Sequence, residues 1–290
     1  MELSGWDTAA VCAEAVTYAA TLGAAGAIFF LRYGTDLLQE QQHRRIRRLI
    51  GISLGVAALG SCAKILLSSA SMSGELAGMF DRDFARMILG AGEGHATGVR
   101  IAGLALGALI FSSRSGLRVL AQLGAVLASI SFVFVGHIHA LLPNPVPALL
   151  LCVHLLCAAF WLGALAPLLI AARDGADSQI AALASRFGVL ALGIVMLLLC
   201  AGLSLLWILI DDVGRFWSSD YGKMIVVKLL LVTCLLGLAA VNKLRLTPRL
   251  LSARAGAVVQ FKRTVRAEMV FGALILLVTA ALTTVTGPPQ

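Results

Sequence analysis

The sequence has few charged residues, and this scarcity sets the class of protein. Asp, Glu, Lys and Arg make up 13% of the 290 residues, whereas a soluble domain carries about 25%. Hydrophobic residues make up 59%. No stretch has the composition of a soluble domain, so we expect one integral membrane domain over 1–290.

Several kinds of chemistry also lack their motifs. The six cysteines all lie inside apolar segments, which argues against a disulfide framework. There is no GxxxxGK[ST] loop and no CxxC pair, so no ATP-driven pump is indicated. No serine has a histidine and a carboxylate in a nucleophile motif, and we expect no enzymatic activity. No basic stretch precedes the first apolar segment, so we expect no cleavable signal.

Eight apolar segments are long enough to cross a bilayer, which requires about 20 residues each. The predicted fold is therefore an all-α, polytopic membrane helix bundle. The segments lie near 8–31, 46–70, 96–113, 117–142, 147–172, 182–210, 222–246 and 264–286.

The basic residues predict the orientation of this bundle. Sixteen of the 23 lie in the links after segments 1, 3, 5 and 7, and four lie in the opposite links. Positive links stay cytoplasmic, so both termini are predicted outside, in the periplasm. The net charge of +8 then reflects topology and contact with membrane lipid, and we expect no nucleic-acid partner.

The longest outward link, 71–95, contains an apolar pattern typical of a short amphipathic helix. One side of that helix would carry Leu76, Met79, Phe80, Phe84, Met87 and Ile88. Such a helix lies on the outer membrane interface, or it covers a site that opens outward.

Three of the five histidines fall within 19 residues, in GHIHALLPNPVPALLLCVH. His137 and His139 precede a tight proline turn and His154 follows it, so all three are predicted in the outer third of the membrane. Ionisable residues inside a membrane are functional candidates, and imidazole is the commonest metal ligand. The three histidines are our main prediction for metal ligands; the alternative is that they only hydrogen-bond helix ends.

Charged residues inside the other segments also allow two interpretations, a structural one and a metal-binding one. Glu14 and Lys64 lie at similar depth on adjacent antiparallel segments, which favours an ion pair over a cation site. Glu93, His95 and Arg100 cluster in and after AGEGHATG. Glu93 and His95 are secondary metal candidates, or they are hydrated loop residues. Glu268 lies near the cytoplasmic end of its segment, where we expect it to pair with Arg266 or Lys262 outside the site.

Sulfur ligands suit soft metal ions. Met224, beside Tyr221, is the best single sulfur candidate. Cys157 and Trp161 follow His154 at helical spacing and are predicted on its face. Met196, Cys200 and Cys234 form a relay of soft ligands, or they are ordinary apolar packing.

Two longer stretches resemble the CopD/PcoD copper-resistance family of inner-membrane proteins. The first is HLLCAAFWLGALAPLL at 154–169. The second is YGKMIVVKLLLVTCLLGLAAVNKLRLTP at 221–248, with a Tyr-Gly, Lys and Asn-Lys pattern. Glu268, Gly272 and Pro288-Pro289 continue it, and residues 1–135 match less closely.

The resemblance implies copper transport across the bacterial cytoplasmic (inner) membrane, with uptake from periplasm toward cytoplasm, in copper homeostasis or resistance. It identifies Lys228 as the family lysine, which either neutralises a site carboxylate or reaches outward. A copper ion is then the cargo, as Cu(I) or Cu(II), and a periplasmic copper-binding protein is a possible donor. Two alternatives stay open: a haem b electron-transfer protein, and a membrane copper chaperone that does not transport.

Overall fold

The computed structural model describes residues 5–135, 145–210 and 213–285, and these residues are helical with short connections. Among them, eight helical spans are long and apolar enough to cross a membrane, which confirms the predicted all-α membrane bundle. They are Gly5–Leu37, Glu40–Ser73, Gly92–Phe111, Ser115–Phe134, Val146–Arg173, Asp177–Leu209, Asp220–Leu251 and Ala257–Thr284.

The helices are numbered in chain order. They are α1 (Gly5–Gly34), α2 (Glu40–Ser73), α3 (Arg82–Gly90), α4 (Gly92–Gly107), α5 (Ser115–Ile130), α6 (Val146–Asp174), α7 (Asp177–Leu209), α8 (Val213–Ser218), α9 (Asp220–Val241), α10 (Thr247–Leu251) and α11 (Ala257–Thr284). A π-helical turn, Asn242–Leu246, joins α9 to α10.

Helix α1 is the centre of the bundle. In its most apolar stretch 72% of the residues are buried, against 17% for α7 and 11% for the span that begins with α9. It packs against α2, α5, α6 and α11. The outward surfaces of α7 and α9 are apolar and exposed, as expected for helices that face lipid.

Small residues let α1 approach α6 closely. A Cβ atom added at Gly26 would lie 2.0 Å from the Ala159 carbonyl oxygen, and one added at Gly163 would lie 2.5 Å from the Leu22 carbonyl oxygen. Glycine is therefore required at both positions of this contact, a common way for membrane helices to pack.

Two predicted boundaries need correction. The fourth segment was predicted over 117–142, but α5 ends at Ile130 and a 3₁₀ turn, Ser131–Phe134, follows it. Residues 136–144, which include His137 and His139, lie outside the described residues.

The second correction concerns the extent of the short amphipathic helix that was predicted within the 71–95 link. The link contains such a helix, α3, but Leu76–Phe80 forms a separate 3₁₀ turn before it. The break is at Asp81, whose carboxylate accepts hydrogen bonds from the backbone N–H groups of Asp83 and Phe84 and so caps α3. Of the six apolar side chains, Ile88 is buried, while Phe80 and Met87 are exposed.

Candidate functional site

A cavity of about 300 Å³ lies inside the bundle and is lined by residues of α1, α6, α7, α9 and α11. Most of its lining is leucine and isoleucine, as is usual for a ligand pocket. The polar groups that line it are Tyr18, His154, Tyr221, Lys228, Thr279 and Thr283.

His154 is held in one orientation by α7. Its Nδ1 atom lies 3.2 Å from the Leu198 carbonyl oxygen, and because a carbonyl can only accept, Nδ1 carries the proton. Gly202 leaves room for the ring: a Cβ atom there would lie 3.0 Å from His154 Cε1. The Nε2 atom therefore keeps its lone pair, the arrangement in which a histidine binds a metal ion while a backbone carbonyl orients it.

Lys228 and Tyr221 line the same cavity from one helix, α9. They are seven residues apart, so they share a helix face. Lys228 interacts electrostatically with His154, and among the described residues it has no carboxylate partner. The prediction that Lys228 neutralises a site carboxylate therefore finds no such group in the described part of the chain.

A second polar cluster lies next to the cavity and joins α1, α2 and α4. Lys64 Nζ is 2.9 Å from Glu14 Oε2 and 3.0 Å from Glu93 Oε2. The predicted Glu14–Lys64 ion pair is confirmed, and Glu93 is a second partner. Glu14 and Glu93 also interact electrostatically with Arg100, so two carboxylates and two cations share this cluster.

Arg100 is fully buried and connects this cluster to the cavity wall. Its Nε donates to Ser131 Oγ at 3.1 Å and its Nη1 to Ser61 Oγ at 3.3 Å. Its guanidinium carbon lies 4.0 Å from the centre of the Phe132 ring, which is itself 4.4 Å from the Tyr18 ring. Phe132 and Tyr18 line the cavity, so Phe132 contacts both the charged cluster and the cavity.

The cavity and the charged cluster lie in the same half of the bundle. Helices α1, α4, α6 and α9 begin at one end, and Glu14, His154 and Lys228 each lie eight or nine residues from the start of their helix. At 1.5 Å per residue this is a depth of about 12–14 Å. The positive-inside count predicts that this end faces outward.

The remaining predicted ligands lie in different surroundings. His95 is exposed, whereas Glu93 is paired with Lys64. Met224 packs against Phe216, Tyr221 and Leu282. Cys157 is buried in α6. His154 and Trp161, which were predicted on the same helix face, line the cavity.

The proposed relay of soft ligands is not assembled around the cavity. Met196, Cys200 and Cys234 are at exposed positions of α7 and α9, where the bundle meets lipid. Within residues 5–135, 145–210 and 213–285, no group of three or more His, Cys, Asp or Glu side chains is arranged to hold a metal ion. His137 and His139 fall outside these ranges.

Sequence reasoning missed one buried polar site near the other end of the bundle. Glu268 was predicted to pair with Arg266 or Lys262, but it is 3% exposed and accepts a hydrogen bond from Asn242 Nδ2. Asn242 begins the π-helical turn and also accepts a hydrogen bond from Thr264. Such turns often mark functional positions, and the Asn-Lys pair in the sequence was the available signal.

Comparison with known proteins identifies the family. Residues 5–141 match the family model of the copper resistance protein D-like N-terminal domain, and residues 181–282 match that of copper resistance protein D. The first half, which resembled the family less closely by its motifs, thus has its own match, while the stretch 154–169 lies between the two. No curated protein and no solved structure matches the chain. The chain is a multi-pass membrane protein that belongs to the copper resistance protein D family, which supports a role in copper resistance and homeostasis.

Proposed function

We propose that this protein binds a copper ion in the cavity at His154 and passes it across the bacterial cytoplasmic membrane, from periplasm toward cytoplasm. The observation that carries the proposal is the orientation and tautomer of the His154 ring, in a chain that belongs to a copper resistance family. Its Nδ1–H group donates to the Leu198 carbonyl oxygen, and Nε2 is left as a neutral nitrogen ligand in a largely apolar cavity. Neutral imidazole binds copper in either oxidation state.

His137 and His139 are the partners that we propose for His154. Both come from the sequence pattern, and their support from the structure is indirect. Val135, which lines the cavity, lies two residues before His137 in the chain. If variants of all three histidines bind copper like the parent, we propose Glu93, His95 and Met224 as the ligands instead.

The direction of transport follows from the predicted topology. The cavity lies in the half of the bundle that the positive-inside count assigns to the periplasmic side. A copper ion delivered by a periplasmic donor would reach this half first. The sequence carries no ATP-binding motif, so the ion would move down its own gradient or toward an intracellular sink.

Copper flux into sealed vesicles tests this proposal. The purified protein is reconstituted with a copper-sensitive dye inside, and uptake is compared between the parent, His154→Ala and His43→Ala. His43 is a partly exposed histidine of α2 outside the cavity, so His43→Ala is the matched control. We expect uptake by the parent and by His43→Ala, and at least a tenfold loss in His154→Ala, since loss of one ligand weakens metal binding strongly.

Two results would contradict the proposal. Copper binding without flux would indicate a chaperone that does not transport. A haem absorption band in the purified parent would favour the electron-transfer alternative, in which two histidines hold the haem iron.

A further inference from the structure

The cavity contains a positive charge that nothing in the described part of the protein compensates. Lys228 lines the cavity, and among the described residues it has neither a carboxylate nor a hydrogen-bond acceptor. Lys228 is partly buried, and a lysine inside a membrane bundle is costly without a partner. By contrast, the buried Lys64 binds Glu14 and Glu93.

A second donor lies on the same helix face. The Tyr221 side chain is 8% exposed and lines the cavity one residue after the start of α9. Its hydroxyl makes no hydrogen bond to another described residue. By contrast, Thr279 and Thr283 donate to backbone carbonyls of α11, so their hydroxyl protons are already used.

Most of the rest of the lining is hydrocarbon. Leu151, Leu155, Leu199 and Leu206 are among the residues around the cavity. At roughly 30 Å³ for each water-sized group, a cavity of about 300 Å³ holds roughly ten non-hydrogen atoms. This volume suits one short chain.

We propose that this cavity binds a single-chain amphiphilic anion, a carboxylate on a short hydrocarbon chain, with its head at Lys228 and Tyr221 and its chain along the leucines. Anion binding itself does not require copper. One consequence does rest on the copper proposal: the anion's negative charge would offset Lys228 and so allow a cation to bind at His154 in the same cavity.

Equilibrium binding of radiolabelled octanoate to the full-length, metal-free protein tests the proposal. Octanoate has ten non-hydrogen atoms, and octanol is the uncharged control of nearly the same size. The protein is held in phosphatidylcholine nanodiscs with a chelator present, and binding to empty nanodiscs is subtracted. We expect the parent to bind octanoate at least tenfold more tightly than octanol.

Two lysines of α9 give a matched pair of variants. Lys228→Met should abolish the preference for octanoate over octanol, and Lys228→Arg should retain it. Lys223→Met should behave as the parent, because Lys223 is exposed and paired with Asp220. The proposal is overturned if the parent binds both compounds equally, or if Lys228→Met keeps the preference; the first criterion holds even if Lys228→Met does not fold.

The same titration in nanodiscs that also contain phosphatidylglycerol separates two sources of the anion. Unchanged octanoate affinity would show that free single-chain acids are the ligand. A tenfold loss would show that an anionic lipid head group competes at Lys228. Because the protein is metal-free throughout, failure of this experiment leaves the copper proposal standing, and failure of copper binding leaves the anion site standing.

Discussion

At Lys64 one ammonium group holds two carboxylates from two different helices. The side chains of Glu14, Glu93 and Lys64 are 0%, 17% and 10% exposed, so each charge depends on the others for its solvation. Removing one member of a buried ion pair typically costs about 3–5 kcal/mol, because it leaves a buried charge without a partner.

We therefore expect Lys64→Met to be more destabilising than Glu14→Gln or Glu93→Gln, since it removes the lysine partner of two carboxylates, while each of the others leaves Lys64 one carboxylate. Lys64→Met combined with Glu14→Gln should recover part of the stability, because only Glu93 then lacks its lysine partner and Arg100 keeps one carboxylate neighbour. Unfolding free energies of the four variants in detergent measure this coupling. Additive losses would show that the three groups act independently.

At the other end of the bundle, the side chains of Glu268 and Asn242 are buried and form a hydrogen bond with each other. Glu268→Gln keeps a carbonyl oxygen that can accept from Asn242 Nδ2, so the cost should be small. Glu268→Leu leaves a buried amide without that acceptor, which costs about 1–3 kcal/mol. Thermal unfolding of the two variants compares them directly, and equal midpoints would mean that the hydrogen bond contributes nothing to stability.

At the scale of the helices, the contact between α1 and α6 depends on Gly26 and Gly163. Gly23 lies one turn before Gly26 on α1 but does not face α6. A Cβ atom at Gly26 would meet the α6 backbone at 2.0 Å, whereas one at Gly23 would meet no atom within 4 Å.

Gly26→Ala should therefore destabilise the protein by about 1–3 kcal/mol, the usual cost of overpacking. Gly23→Ala should be neutral or stabilise by up to about 1 kcal/mol, because alanine is the better helix former. Denaturant unfolding of both variants checks the difference. If Gly26→Ala were as stable as Gly23→Ala, the helices would not be in close contact there.

The sequence was sufficient to predict the elements of the bundle but not the surroundings of their side chains. Length and hydropathy predicted all eight spans, and equal depth on adjacent antiparallel helices predicted the Glu14–Lys64 pair. Glu93 was harder, because the rotation of the first turn of α4 decides whether it faces Lys64. Glu268 was placed wrongly since nearby basic residues indicated an exposed side chain, while packing of α11 against the π-helical turn buries it.

The cavity could not be predicted, because it is formed by five helices that are distant in sequence. His154, Trp161, Tyr221 and Lys228 were each selected from motifs, but only packing of α6, α7 and α9 shows that they line one space. His137 and His139 lie outside the described residues, so the main ligand set remains a prediction.

For the whole molecule, orientation in the membrane decides which side the cavity faces. The count of 16 basic residues against four predicts that a reporter fused after Gln290 is periplasmic, and that one inserted near Arg254 is cytoplasmic. Reporter enzymes active on only one side of the membrane test both positions. The opposite pattern would place the cavity in the cytoplasmic half and reverse the proposed direction of transport.

Copper affinity of the purified protein is the most direct test of the central claim, that His154 is a copper ligand inside this cavity. The measurement compares the parent, His154→Ala and His43→Ala, the last changing a histidine of α2 outside the cavity. We predict that the parent and His43→Ala bind copper with equal affinity, and that His154→Ala remains folded but binds at least tenfold more weakly. Equal copper affinity in all three proteins would contradict the account.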